Sequence, residues 1–530
     1  MNIIVKNLSY THPDREILFQ NLSFSFNKGE KIALIGHNGS GKSTILRILA
    51  GILRPSAGEI IAEQQPYYVP QHFGQYNDLT LSEALGIKKK LDALHAILQG
   101  NTETEHFTNL NDDWDIEERG RAALNSRGIG YLTFSRKMDT LSGGEKTKVF
   151  LSGIAIHNPA IILFDEPTNH LDWDNRIRLY KYIEMSKAGL LVVSHDRTLL
   201  NLLEKIYEIE DQKITVYGGN YEFYKMQKDE KNDALKEQVA EKEKTLRKAK
   251  QAARKMEEQK QKLDARGKGK QMQEGTPRIM LNQLRNKAEN STSKLKDVHI
   301  DKMANISQEL KNLKTQLADT QMLKLEVRNA DLHQGKILAT AQNVNYQYDE
   351  KVLWKTPLNF QMVSGERILI SGRNGIGKST LVKLILGNLV PTTGKLEKND
   401  FRALYIDQEY ALIENQLTLL EQLERFNNRH LREHELKILL HRFLFPMDTW
   451  EKKCSLLSGG EKMRLLFCCL TVNDNVPDVF ILDEPTNNLD IQSLGIVTSV
   501  VKQYQGTVLL ISHDRYFIDE IGVDKEITLI

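Results

Sequence analysis

The eight residues GHNGSGKS at 36–43 decide the fold of this chain, and they return as GRNGIGKS at 372–379. Each copy follows a short apolar segment, Ile32–Ile35 or Arg367–Ile370, and precedes a stretch with helical periodicity. A glycine-rich loop between a strand and a helix exposes backbone N–H groups that can wrap phosphate. Two copies in the same context indicate two duplicated nucleotide-binding units with an α/β fold.

Both loops are expected to hold the phosphates of ATP along their whole length. In each loop the lysine would reach the β- and γ-phosphates, and the serine after it would ligate Mg²⁺. The predicted ATP-binding residues are Gly36, His37, Asn38, Gly39, Ser40, Gly41, Lys42, Ser43 and Thr44 in the first copy, and Gly372, Arg373, Asn374, Gly375, Ile376, Gly377, Lys378, Ser379 and Thr380 in the second.

Paired acidic residues end another apolar strand in each copy. Asp165-Glu166 follows the segment IILF, and Asp483-Glu484 follows VFIL. A buried parallel strand aims such residues at the edge of the sheet where the phosphate loop lies. Asp165 and Asp483 are therefore predicted to support Mg²⁺. Glu166 and Glu484 are predicted to polarise the water that attacks the γ-phosphate.

A histidine and a glutamine complete the repeated set of polar residues. The words SHDR at 194–197 and 512–515 place His195 and His513 after an apolar strand, where each can contact the γ-phosphate and the attacking water. Gln71 and Gln408 end two further short segments and are predicted to bridge Mg²⁺ and water. A single histidine is usually structural, but its recurrence after a strand favours a role in the site.

The composition predicts a globular protein of the cytoplasm. Hydrophobic residues make up 40% of the chain, and the mean hydropathy is −0.44. No run approaches the roughly 18 apolar residues that a membrane span requires. The start, MNIIVKNLSY, lacks the apolar core of a signal peptide. The three cysteines, at 454, 468 and 469, have no metal-ligand spacing and indicate buried small side chains in a reducing compartment.

The middle of the chain differs from both repeats. Residues 221–330 carry 26 Lys and Arg against 17 Asp and Glu, with almost no aromatic residues. This composition predicts two long helices, over about 222–265 and 279–327, that form a hairpin with its turn at about 266–278. The predicted domains are therefore 1–220, 221–330 and 331–530.

The predicted turn is the most basic part of this linker. A solvated spacer would explain charged helix faces, whereas the net charge of +9 and the glycine-spaced basic turn favour a nucleic-acid partner. The candidate RNA contacts are Arg266, Lys268, Lys270 and Arg278.

The first repeat is longer than the second by a segment predicted to lie within 85–113. It holds an amphipathic piece at 88–98 and a polar loop at 100–105. A surface insertion that the fold tolerates and an extra docking arm are both open interpretations.

The word LSGGEK, at 141–146 and again at 457–462, resembles the signature of ATP-binding cassette proteins. With the phosphate loops, the resemblance covers both end units. It implies two cassettes, each a P-loop ATPase core with a helical subdomain, joined by the α-helical hairpin linker. It also implies a head-to-tail sandwich in which the signature of one cassette covers the ATP of the other. The signature residues expected on ATP are Ser142, Gly143, Gly144, Ser458, Gly459 and Gly460.

Each site of such a sandwich is composite. The first would set the phosphate loop and catalytic residues of the first cassette against Ser458, and the second would set those of the second cassette against Ser142. Both sites keep every element and are expected to hydrolyse ATP to ADP and phosphate. The adenine is expected to stack on Tyr348 in the second unit. His12 occupies the matching place in the first unit, where it can stack with altered affinity or base selectivity.

The acidic strands continue as DEPTNHLD at 165–172 and DEPTNNLD at 483–490, and YGGNYEFY at 217–224 leads into the linker. This arrangement resembles the ABC-F subfamily of cytosolic, ribosome-associated ATPases. The resemblance implies a monomer with an intramolecular sandwich, without a membrane or an obligate protein partner. Its linker would enter the tRNA exit site of the ribosome and reach rRNA and P-site tRNA, and the segment 85–113 would be the arm.

Several alternatives share these motifs. A housekeeping translation factor and a protein that dislodges ribosome-bound antibiotics both fit the subfamily. A soluble ATPase subunit that energises a separate membrane transporter is a different class with the same cassettes. A cassette of the DNA-repair type is disfavoured, since its far longer coil lies inside one cassette rather than between two.

Overall fold

A computed structural model describes most of the chain. The described residues are 2–12, 17–169, 171–210, 212–271, 301, 303–314, 333–407, 409–474, 476–487 and 489–530. The chain forms two compact units, Met1–Tyr224 together with Leu323–Ile530, and Lys225–Met322. Among the described helices, none is both long and apolar enough to span a bilayer.

The first repeat is built on two sheets. Its strands are β1 (Asn2–Thr11), β2 (Ile17–Asn27), β3 (Lys31–Gly36), β4 (Ala57–Ala62), β5 (Tyr67–Val69), β6 (Ile161–Asp165), β7 (Gly189–Val193), β8 (Lys205–Glu210) and β9 (Lys213–Tyr217). The larger sheet has the order β5-β6-β7-β3-β8-β9, and only its β8–β9 pair is antiparallel. The smaller, antiparallel sheet has the order β2-β1-β4.

The second repeat has the same plan. Its strands are β10 (Ile337–Asn345), β11 (Gln347–Tyr348), β12 (Lys351–Val352), β13 (Leu358–Val363), β14 (Arg367–Ser371), β15 (Thr393–Lys398), β16 (Ala403–Ile406), β17 (Val479–Asp483), β18 (Thr507–Ile511) and β19 (Lys525–Thr528). A parallel sheet has the order β16-β17-β18-β14-β19, and an antiparallel sheet has the order β13-β10-β15. The predicted α/β duplication is confirmed.

Helices cover these sheets and form the linker. They are α1 (Lys42–Leu49), α2 (Leu81–Ala84), α3 (Lys88–Leu98), α4 (Thr104–Leu110), α5 (Ile116–Ser126), α6 (Gly143–His157), α7 (Trp173–Met185), α8 (Arg197–Leu200), α9 (Tyr221–Gln271), α10 (303–314), α11 (Lys378–Leu386), α12 (Leu419–Arg425), α13 (Glu433–Arg442), α14 (Gly459–Thr471), α15 (Ile491–Gln503) and α16 (Arg515–Ile521).

The central parallel strands position the polar residues. Strands β6 and β7 of the first repeat, and β17 and β18 of the second, are buried at every position. Such strands read as continuous apolar runs because helices cover both faces of a parallel sheet. Their carboxyl ends meet at one edge, so residues just beyond them converge there.

The two phosphate loops require glycine immediately before their helices. Gly41 and Gly377 have φ of 91° and 102°, which an L side chain adopts at a cost. A Cβ on Gly41 would also lie 2.9 Å from a methyl carbon of Leu18. Glycine therefore lets each loop turn directly into α1 or α11.

The linker departs from its predicted geometry. Helix α9 continues through Gly267 and Gly269 to Gln271, beyond the predicted end at 265, so the predicted turn at 266–278 begins too early. A glycine costs a helix interior only about 1 kcal/mol, and the neighbouring Lys, Arg and Gln favour helix. The residues 272–300 and 315–332, including most of the predicted second helix, lie outside the described residues.

Helices α9 and α10 pack against each other. Val239 and Leu310 are buried together. Lys242 lies 2.5 Å from Glu309 across the pair. The described parts of the linker are therefore two helices packed against each other.

The segment predicted within 85–113 forms helices α3 and α4. In both repeats the preceding helix starts at a threonine, Thr80 or Thr418, whose side chain forms a capping box with the glutamate three residues later. Since α2 matches α12 in this way, α3 and α4 are extra elements between α2 and α5.

Candidate functional site

The lysines of the phosphate loops lie over their own loops. Lys42 Nζ donates to the carbonyl oxygens of Gly36 and His37 at 2.7 and 2.8 Å. Lys378 Nζ donates to the carbonyl oxygen of Gly372 at 3.0 Å. Burial lowers the pKa of both lysines, and nearby carboxylates oppose the change. A cation with little water around it is held where each loop can wrap an anion.

The aspartates at the ends of β6 and β17 each face the loop serine. Asp165 Oδ1 accepts from Ser43 Oγ at 2.9 Å, and Asp483 Oδ2 accepts from Ser379 Oγ at 3.2 Å. Burial raises the pKa of both aspartates. Hydroxyl and carboxylate oxygens together are the donors that Mg²⁺ takes beside phosphate oxygens.

Two tyrosines in these clusters were missed from the sequence. Tyr68 and Tyr405 donate their hydroxyls to Asp165 and Asp483, each at 2.9 Å. Burial, followed by the charge of the aspartate, raises the pKa of each tyrosine far above its usual value. The signal was present, because each tyrosine stands three residues before the predicted glutamine of its own repeat.

The glutamates after the aspartates adopt a strained backbone. Glu166 and Glu484 have φ of 48° and 49°, in the left-handed region. Their N–H groups donate to Val193 and Ile511, both at 2.8 Å, which ties each glutamate to the neighbouring strand. Strain of this kind persists at functional sites when the surrounding structure holds it.

Both glutamate side chains are buried next to the predicted histidines. Burial raises the pKa of Glu166 to about 8 and that of Glu484 to about 7. His195 Nε2 lies 3.2 Å from Glu166, and His513 Nε2 lies 3.3 Å from Glu484. Among the described residues, Oε1 of Glu166, the oxygen that faces His195, and Oε2 of Glu484 are buried without a hydrogen bond. Each can accept from a water molecule, as a general base must.

The histidines are held neutral. Burial, and then the neighbouring Lys42 or Lys378, lowers the pKa of His195 and His513 to about 3. His513 Nε2 also lies 3.0 Å from Lys378 Nζ. A neutral imidazole can both donate and accept, which suits contact with a phosphate oxygen and a water.

A cavity of about 460 Å³ lies over the first loop and is formed by both repeats. The residues of the first repeat that were predicted for the ATP site and that line this cavity are His12, Asn38, Gly39, Gly41, Lys42, Ser43, Thr44, Gln71, Glu166 and His195. Ser458 and Gly459, from the start of α14, line it from the other side. Asp490 Oδ2 also accepts from the backbone N–H of Asn38 at 3.1 Å. The first loop is therefore approached by the second repeat at two places.

The second loop is approached differently. Ser142 begins α6 with a capping box to Glu145, as Ser458 does with Glu461, but Ser142 is exposed. The first repeat approaches this loop through α7. There Asp174 lies 3.3 Å from Arg373. The carboxylate of Asp172 opposes the fall that burial causes in the pKa of Lys378.

The structure shows few contacts that bear on the roles of the remaining predicted site residues. Gly143 and Gly144 open α6, and Gly460 follows Gly459 in α14. Half-exposed Tyr348 has its hydroxyl 3.2 Å from Thr380 Oγ1. The backbones of 266–271, with three of the predicted RNA contacts, lie in α9. Gln408 and Arg278 are outside the described residues.

The chain matches known proteins over most of its length. The family model described as ABC transporter covers residues 19–169 and 356–487. The ATP-binding protein YdiF of Bacillus subtilis is 30% identical over 532 residues, which span 96% of this chain and 77% of YdiF. ABC transporter F family member 5 of Arabidopsis thaliana is 29% identical over 534 residues, which span 95% of this chain and 72% of the relative.

A solved structure shares the fold. The archaeal ribosome recycling factor aABCE1, crystallised with the archaeal ribosomal stalk protein aP1, matches with a TM-score of 0.58 at 19% identity. The match covers 98% of this chain and 87% of that one. The family model, the relatives that match over most of this chain and the shared fold agree, and the family implies ATP binding. The chain belongs to the ATP-binding cassette family, within its F subfamily, and is an ATP hydrolase.

Proposed function

We propose that this ATPase is a clamp that binds the ribosome with ATP between its cassettes and leaves after hydrolysis. The observation that carries the proposal is the cavity over the first phosphate loop. Lys42 and Glu166 line it from one cassette, and Ser458 lines it from the other. A nucleotide with affinity for both walls favours the closed arrangement, and loss of the γ-phosphate removes that preference.

The chemistry follows from the buried residues of each site. Glu166 and Glu484 act as general bases on the attacking water, and His195 and His513 hold the γ-phosphate side of the site. Ser43 with Asp165, and Ser379 with Asp483, would hold Mg²⁺, with Gln71 and Gln408 as further ligands. Mg²⁺ supplies positive charge that offsets the negative charge of the phosphates.

The linker supports a ribosomal partner. It carries the chain's excess of positive charge, a net +9 over 221–330. Such a surface attracts a polyanion. An archaeal recycling factor of the ribosome has the same fold. We place Arg266, Lys268, Lys270 and Arg278 on RNA at the tRNA exit site.

Co-sedimentation with purified ribosomes tests this function. We expect the protein to pellet with ribosomes in AMP-PNP and to stay in the supernatant in ADP. Detergent-solubilised membranes serve as the competing partner, because a transporter subunit would be recovered there. Nucleotide-independent recovery, or recovery with membrane proteins alone, would contradict the proposal.

A charge reversal tests the linker separately. Lys268→Glu with Lys270→Glu should weaken ribosome binding and reduce its salt dependence by about one unit of slope for each phosphate that the linker no longer binds. Lys244→Glu with Lys248→Glu, on the same helix but remote from the predicted contacts, is the matched control. Equal effects of the two pairs would show a diffuse charge effect rather than direct binding at the turn.

A further inference from the structure

A buried arginine of the first cassette points at the second site. Arg176, in α7, is 5% exposed. Its Nη1 donates to the carbonyl oxygen of His513 at 3.4 Å and lies 3.6 Å from Asp196 Oδ2. Its Nε donates to the carbonyl oxygen of Leu171 at 3.1 Å. One side chain thus joins the first cassette to the backbone of the second site's histidine.

The second cassette has no equivalent arginine. Arg176 is the fourth residue after Asp172, the N-cap of α7. The fourth residue after Asp490, the N-cap of α15, is Leu494, which is buried in the apolar core of its own cassette. The first site therefore receives no guanidinium from the matching position.

The surrounding charges have the same asymmetry. Buried Arg197 of the first cassette reaches across to Glu520 at 2.7 Å and lies 3.9 Å from Asp514. Its counterpart, Arg515, is exposed and lies 3.9 Å from Asp519 of its own helix. In this network of described residues, the buried cations come from the first cassette, whereas the acids come from both, Asp196 from the first and Asp514 and Glu520 from the second.

The contact between Arg176 and His513 bears on catalysis because His513 lies next to the predicted general base of the second site. The imidazole Nε2 of His513 lies 3.3 Å from Oε1 of Glu484, the predicted base of the second site, and the backbone N–H of His513 opposes the rise in the pKa of that carboxyl. Arg176 therefore fixes the same chain segment from its carbonyl side. A planar guanidinium with several simultaneous partners fixes geometry better than an ammonium does. Separation of the cassettes would remove this support.

We propose that Arg176 is a positioning residue for ATP hydrolysis at the second site alone, which it supports only when the first cassette is docked. Glu484 is then held in position as a base by the first cassette when the clamp is closed. The inference rests on the assignment of the two ATP sites proposed above and is independent of the ribosome.

Counting the nucleotides that the protein retains tests this inference. Purified full-length protein is loaded with Mg-ATP, free nucleotide is removed, and bound ATP and ADP are counted over time. Wild type should convert the ATP of both sites. Arg176→Leu should bind both nucleotides but keep the ATP of one site at least about tenfold longer, as expected for loss of a charged hydrogen bond.

Double variants identify the affected site. Glu484→Gln alone should also keep the ATP of one site, and adding Arg176→Leu should change nothing. Glu166→Gln combined with Arg176→Leu should keep the ATP of both sites. If Glu166→Gln and Glu484→Gln do not each keep one ATP, the site assignment itself is wrong. If both do so, but Arg176→Leu with Glu484→Gln keeps two ATPs, Arg176 acts on the first site and the inference is overturned.

Controls separate positioning from folding. Arg178→Leu removes an exposed arginine of the same helix and should match wild type. Arg176→Lys keeps the charge and one donor and should recover part of the rate without changing the KM for ATP. If Arg176→Leu fails to bind nucleotide, the bound ATP and ADP of Arg176→Lys are counted over time instead. Conversion of ATP at both sites of Arg176→Lys at the wild-type rate would then overturn the inference.

Discussion

The two ATP sites share their motifs and differ in what the opposite cassette brings to them. The first is covered by Ser458 and hydrogen-bonded through Asp490. The second is reached by α7 of the first cassette, with Arg176 on the backbone of His513. The duplicated sequence motifs therefore do not show that the two ATP sites are equivalent. Each site is completed by residues outside the motifs, and there the two copies have diverged.

The largest expected effect comes from the glutamates. Glu166→Gln with Glu484→Gln should lower ATP turnover by about a hundredfold or more, since a general base contributes on that scale. Either single variant should leave turnover at the other site, so their residual rates compare the two sites directly. Normal turnover in the double variant would refute the assignment of the base.

A smaller effect is expected at the aspartates that cap α7 and α15. Asp490 accepts from Ser493 N at 2.8 Å and from Asn38 N of the first loop at 3.1 Å. Asp490→Ala should weaken ATP binding at the first site by about tenfold, because a charged hydrogen bond and a helix cap are removed together. Asp490→Asn keeps the capping oxygen and should be milder.

The matched change on the other side is Asp172→Ala. Asp172 accepts from Asn175 N at 3.2 Å and caps α7. Loss of the cap costs about 1 kcal/mol, so this variant should lower the Tm with less effect on ATP affinity. Nucleotide titration of single-site variants, with thermal melts of the same proteins, measures both. Equal losses of affinity would mean that the two sites are closed in the same way.

The pH dependence of stability should report on the buried glutamates of both sites. Glu166 and Glu484 have folded pKa values of about 8 and about 7, above their usual 4.5, so the folded protein binds protons that the unfolded chain has released. Stability from this source is complete below pH 4.5 and is lost as the pH rises through the folded values. The histidines, with pKa lowered to about 3 from 6.5, add no slope above pH 6.5.

Between pH 6.5 and 8 the nucleotide-free protein should therefore lose on the order of 1 kcal/mol of unfolding free energy. Thermal melts across this window check the loss. Glu166→Gln and Glu484→Gln should each remove part of the slope, because each replaces a carboxyl whose pKa burial raises. A slope unchanged by Glu166→Gln would mean that another group titrates.

The sequence alone located the parts of the ATP sites that depend on the local order of residues along the chain. The phosphate loops and the acids after β6 and β17 follow from apolar strands that end in polar residues. The sequence could not reveal that Arg176 rather than Leu494 faces the opposite site, because that contact depends on how two cassettes dock. It also misplaced the end of α9, since Gly267 and Gly269 weaken a helix by amounts that its good helix formers offset.

The smallest expected difference lies at the adenine. His12 lines the first cavity, whereas half-exposed Tyr348 stands at the matching place of the second repeat. Stacking of a base on an aromatic side chain contributes about 1–3 kcal/mol, so Tyr348→Ala should weaken ATP binding at the second site by about fivefold or more. His12→Tyr exchanges one stacking ring for a larger one, and we expect only about a two- to threefold gain in ATP affinity at the first site.

Tyr348→Phe, which keeps the ring and loses the hydroxyl near Thr380, is the control and should bind ATP as wild type does. Competition between ATP and GTP at each site measures the selectivity. If His12→Tyr leaves both affinity and selectivity unchanged, the first site holds its nucleotide through the phosphates alone, and the difference between the sites lies in their opposite walls.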